Sequence, residues 1–106
     1  MSTLSTHVLD AVRGAPAADI AVTLSASDGT ELAAAITDAD GRIAALGAEL
    51  GPGMYRLRFA TAQYFAAHRT EAFYPEVTIA FTVDADRHYH VPLLLSPFAY
   101  STYRGS

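Results

Sequence analysis

The chain has 106 residues, 51% of them hydrophobic and 17% charged, enough for one domain with a core that needs no staples. The absence of cysteine excludes a disulfide framework and a thiolate metal site. A formal charge of −4 with no basic run argues against nucleic acid or an anionic membrane surface as a partner. The N-terminus shows no basic segment followed by an apolar one, and no window approaches a membrane span. The expectation is therefore a cytoplasmic protein forming a single domain over residues 1–106.

In chain order, alternation first predicts a strand over Leu4 to Asp10, with Leu4, Thr6 and Val8 on one face and His7 and Leu9 on the other. Gly14 and Pro16 punctuate the following loop. Ile20, Val22, Leu24 and Ala26 alternate with Ala21, Thr23 and Ser25, the pattern of a half-buried strand, and Asp28-Gly29 signals a hairpin. Leu32, Ala34 and Ile36 continue the alternation into the turn Asp38-Ala39-Asp40-Gly41, which delivers Arg42. After Gly51-Pro52-Gly53, a strand places Tyr55, Leu57 and Phe59 opposite Arg56 and Arg58. Thr61 is the expected N-cap of a helix over Ala62 to His68. Pro75 opens a strand carrying Val77, Ile79, Phe81 and Val83.

The last twenty residues end unlike a frayed tail. In Arg87 to Ser96, Tyr89, Val91, Leu93 and Leu95 read as core, while His88, His90, Pro92 and Leu94 share the other face. Ser96-Pro97 turns into an aromatic segment whose Phe98, Tyr100 and Tyr103 should be packed, followed by Arg104-Gly105-Ser106. Seven or eight short strands, regular turns and one short helix describe an all-β sandwich.

Several chemistries find little support. No serine sits in a G-x-S-x-G elbow, and the Asp38 to Gly41 turn lacks the further ligands of a calcium loop. His68, beside Arg69 and Glu71, reads as a solvated surface residue, and His88 as a rim residue. His7 and His90 are either satisfied core histidines or a functional pair. Each lies opposite the core set among apolar neighbours, a setting that places an imidazole pKa usefully near neutrality.

The run HYHVPLLLSPFAYSTYRGS resembles the C-terminal signature of the transthyretin-like 5-hydroxyisourate hydrolases. Ser5-Thr6-His7-Val8-Leu9-Asp10 with Gly14-Ala15-Pro16-Ala17 resembles that family's opening, and Thr37-Asp38-Ala39-Asp40-Gly41-Arg42 its central motif. The resemblance implies a transthyretin-like β-sandwich of two four-stranded sheets with the helix after the fifth strand. It also implies a homotetramer, a dimer of dimers with sites in the channel between dimers, and no cofactor. It assigns His7, Arg42 and His90 to catalysis, joined in substrate binding by Tyr103, Arg104, Gly105 and Ser106. In transthyretin a lysine replaces His7, and the channel binds a hormone.

The implied reaction opens one ring of 5-hydroxyisourate, giving 2-oxo-4-hydroxy-4-carboxy-5-ureidoimidazoline on the route from urate to allantoin. The histidines would activate water, Arg42 would stabilise the developing oxyanion, and the terminus would close the pocket. Two other readings stand beside it. His7, His88 and His90 could form a three-histidine zinc site, or the chain could be a non-catalytic binding module.

Overall fold

The computed structural model describes residues 1–106 as two packed sheets and one short helix. The strands are β1 (Thr3–Asp10), β2 (Ala15–Pro16), β3 (Ala21–Ala26), β4 (Glu31–Ile36), β5 (Arg42–Ile43) and β6 (Gly53–Phe59). Helix α1 (Thr61–Ala67) follows, then β7 (Val77–Val83), β8 (His88–Ser96) and β9 (Ala99–Thr102). One sheet runs β2-β1-β8-β9, with β5 also pairing with β1, and the other runs β4-β3-β6-β7. β5 is the short strand expected at Arg42-Ile43, whereas β2, in the stretch expected to be a loop, is a two-residue pairing too short for periodicity to reveal.

Alternation explains most of the burial. Leu4 and Val8 of β1, with Tyr89, Val91, Leu93 and Leu95 of β8, meet Val22, Leu24, Leu57, Phe59, Val77, Ile79 and Val83 in a cluster of 20 buried residues. The opposite face of the first sheet carries Thr3, Ser5, His7 and Leu9 beside His88, His90, Pro92 and Leu94, because β1 and β8 pair in parallel. No helix is long and apolar enough to cross a membrane.

Three expectations are corrected. In β4 the inward residues are Ala33 and Ala35, whereas Leu32 and Ile36 are exposed. Buried Thr37 sets this phase: its hydroxyl donates to the Ala17 carbonyl and accepts from the Ile20 amide, so the residues two and four before it also face in. Thr61 is the first residue of α1 and does not cap it; Ala60 holds the cap position, and the Thr61 hydroxyl donates to the Tyr74 carbonyl at 3.0 Å. That carbonyl, on the loop running back under the helix, outcompetes the orphan amides. Lastly, Phe98, Tyr100 and Tyr103 are exposed in the single chain, since β9 is an edge strand with nothing beyond it.

The terminal residues are anchored nonetheless. Gly105 is buried, and its amide donates to the His90 carbonyl at 2.8 Å.

Candidate active site

Residues from four separate segments converge on the outer face of the first sheet. β5 pairs antiparallel with β1 so that Arg42 lies directly opposite His7. The Asp38 turn fixes this register. Its carboxylate accepts from the amides of Asp40 and Arg42, at 2.8 and 3.0 Å, which uses the group within the turn. Gly41 is required here. Its φ of 72° lies in the left-handed region, and a Cβ would collide with the Val8 carbonyl oxygen. Delivery of Arg42 by this loop, expected from sequence, is what the structure shows.

β8 brings His88 and His90 to the same face, opposite Thr3 and Ser5 respectively. An open cleft of about 380 Å³ is lined by Ser5, Thr6, Arg42, Ile43, Ala44, His88, His90 and Ser106. His7 shares this face beside Arg42, one step of the alternation beyond Ser5. The last residues enter from the far side of β8. Gly105 packs so closely on His90 that a Cβ there would lie 2.5 Å from the ring carbon Cδ2 and 3.1 Å from Cγ. Only glycine permits this approach, and it holds the imidazole against movement away from the cleft.

Tyr103 and Arg104 are placed differently. Within one chain they line a second groove of about 280 Å³ with Ile79, Phe81, Tyr89 and Val91, between edge strands β7 and β9. The structure thus gathers His90, Arg42 and Ser106 in one cleft, with His7 and Gly105 in support, and leaves Tyr103 and Arg104 outside it.

The electrostatics favour a neutral base. Burial lowers the pKa of His90 below the usual histidine value of 6.5, and the charges of Arg42, His7 and His88 push it further down. The Ser5 backbone, as an acceptor for the ring, opposes the shift without reversing it. The ring can therefore accept a proton at neutral pH.

Sequence reading assigned no role to Ser5. Its hydroxyl lies 2.7 Å from His90 Nδ1 and 2.7 Å from His88 Nε2. Ser5 stands two residues before His7 and so shares its face, but only the parallel pairing of β1 with β8 brings it to His90. His7, His88 and His90 do not form a three-ligand cluster able to hold a metal ion. His88 and His90 instead share the Ser5 hydroxyl.

A second polar cluster lies at the far end of β1. Buried Asp10 accepts from the Tyr64 hydroxyl at 2.7 Å and from the amides of Val12 and Arg13. His68, expected as a solvated surface residue, is exposed there, 3.1 Å from the Arg13 guanidinium.

Residues 4–105 match the model of the HIUase/transthyretin family. A 5-hydroxyisourate hydrolase of Salmonella typhimurium is 46% identical over 109 residues, covering 97% of this chain and 80% of the relative. The solved structure of Klebsiella pneumoniae 5-hydroxyisourate hydrolase superposes with a TM-score of 0.94 at 44% identity, covering 100% of both chains. Sea bream transthyretin in complex with thyroxine gives a TM-score of 0.90 at 36% identity, covering 96% of this chain and 93% of that one.

Proposed function

Because the chain belongs to the HIUase/transthyretin family, we propose that it hydrolyses 5-hydroxyisourate, opening one ring to give 2-oxo-4-hydroxy-4-carboxy-5-ureidoimidazoline in urate degradation. The observation that carries this reading is a half-buried His90 with a lowered pKa, clamped by Gly105 beside Arg42 in an open cleft. Hydrolysis of an amide-type bond needs a base for water and positive charge for the oxygen that becomes anionic. His90, with Nδ1 engaged by Ser5, presents Nε2 as the free ring nitrogen and serves as that base together with His7. Arg42 supplies planar donors and a charge that does not titrate in the working range.

Ser106 lines the cleft and binds the polar rim of the substrate. Tyr103 and Arg104 hold the terminal segment in the neighbouring groove, from which Gly105 and Ser106 reach His90. The assembly is a homotetramer, a dimer of dimers, whose channel covers the half-buried Leu9 and Leu94 on the histidine face; Pro92, expected there too, is already buried within the single chain. The location is cytoplasmic. No cofactor takes part.

Freshly generated 5-hydroxyisourate decays unaided, so the test is a ratio of rates followed in the ultraviolet. The enzyme should accelerate the decay by at least about 10²-fold. The likeness to a thyroxine-bound transthyretin supports a second reading, a binder of planar ligands. Tight binding of a planar ligand with unaccelerated decay would establish that reading and overturn the hydrolase.

A further inference from the structure

Ser5 belongs to a longer chain of hydrogen bonds. Beyond His88, the line continues from His88 Nδ1 to the Thr3 hydroxyl at 2.6 Å. Successive rungs of the β1–β8 pairing produce it, Thr3 opposite His88 and Ser5 opposite His90, all on one face. The line begins at half-buried His90, passes through Ser5, which is 9% exposed, and ends at exposed His88 and Thr3.

A hydroxyl donates one proton, and a neutral imidazole donates from one nitrogen and accepts at the other. The run therefore has two self-consistent senses. In the first, His90 Nδ1–H donates to Ser5, Ser5 donates to His88 Nε2, and His88 Nδ1–H donates to Thr3. His90 Nε2 then holds a lone pair. In the second, every proton has moved one place, and His90 Nε2 carries one.

We propose that Ser5 and His88 are positioning residues that tie the tautomer of His90 to the sense of this line and relay to solvent the proton it takes from the attacking water. This rests on the hydrolytic reading above. As Nε2 gains a proton, the Nδ1 proton passes to Ser5, and the Ser5 proton passes to His88 Nε2. The His88 Nδ1 proton passes to Thr3, whose own proton leaves to water. One proton enters at the cleft and one leaves at the exposed end, so His90 never holds two. When Nε2 then gives its proton to the leaving nitrogen, a proton returns along the line from water at Thr3 and restores Nδ1–H with Nε2 free. Such an exit matters because the neighbouring charges that act on His90 disfavour its protonated form. They are Arg42 from β5, His7 from β1 and His88 from β8. A second proton on His90, making it cationic beside Arg42, is what burial and that charge disfavour, and the line avoids it.

The experiment combines nitrogen-15 NMR of the imidazole rings with turnover in buffers of increasing imidazole at fixed pH and ionic strength. The wild-type His90 ring should be protonated at Nδ1, and Ser5→Ala should abolish that preference while Ser5→Thr keeps it. His88→Ala should lose about tenfold in kcat with KM moving less than about twofold, and added imidazole should restore the loss while leaving the wild type unchanged. An unaltered His90 spectrum in Ser5→Ala, or a His88→Ala defect that imidazole does not rescue, overturns the relay. Circular dichroism and oligomer size on each variant separate lost structure from lost relay. The NMR arm does not depend on substrate, so it decides the tautomer even if the hydrolytic reading fails.

Discussion

Gly105 shows how much of this site depends on single atoms. One added methyl carbon would sit 2.5 Å from His90 Cδ2, so the ring must move. Displacement of a catalytic group by about 1 Å can cost about 10²-fold. Gly105→Ala should therefore lower kcat by at least about tenfold, with an unfolding midpoint within about 3 °C of wild type, since only the end of the chain is disturbed. A single-turnover assay beside a thermal melt checks both halves.

His90 also carries a pH signature. Its pKa is lowered by burial first and by Arg42 next, so the acid limb of kcat/KM should lie below the usual histidine value of 6.5. Arg42→Gln removes one cause and should move that limb upward while lowering the rate. The sign for stability is the same. The fold favours the neutral ring, so the contribution of His90 is complete above the ordinary value and is lost as pH falls through the lowered one. A limb that stays in place in Arg42→Gln would show that the two groups do not share a field.

At the scale of elements, Asp10 and Tyr64 join the end of β1 to α1. Burial pushes the Asp10 pKa up, but the amides of Arg13 and Val12 and the Tyr64 hydroxyl outweigh it and hold it below the ordinary carboxylate value. Tyr64→Phe leaves a buried acceptor short of a partner, which costs about 1–3 kcal/mol. Chemical denaturation should show that loss at neutral pH. It should shrink as pH falls through the lowered Asp10 value, where the carboxylate protonates. Turnover per folded molecule should be unchanged, because this cluster lies outside the cleft.

Elements also show what was legible in the sequence. The faces of β1, β3, β6, β7 and β8 follow from alternation, and Arg42 follows from the turn before it. The phase of β4 did not, because its alanines carry no hydrophobic contrast and Thr37 decides the register through bonds to distant Ala17 and Ile20. Thr61 looked like a cap because the competing Tyr74 carbonyl lies on a loop that returns from outside the helix. Ser5 carried no signal at all. A serine on a strand acquires meaning only from its partner, and parallel pairing joins residues more than eighty positions apart.

The whole molecule leaves much apolar surface open. Phe73, Phe98 and Tyr103 are 69%, 60% and 60% exposed, and Tyr74 stacks edge-on between Phe73 and Tyr100. Aromatic residues beside an unpaired edge strand such as β9 need covering. The proposed tetramer would do so, and light scattering should give the mass of four 11.3 kDa chains at assay concentration. A fully active monomer would overturn that assembly.

The central claim is that His7 and His90 act together to hydrolyse 5-hydroxyisourate. The most direct measurement is the turnover number of wild type, His7→Ala, His90→Ala and the double variant on fresh substrate, each corrected for spontaneous decay. Each single change should cost about 10²-fold or more, and the double change much less than the product of the two. Near-wild-type turnover in His90→Ala, or losses that simply multiply, would contradict the account.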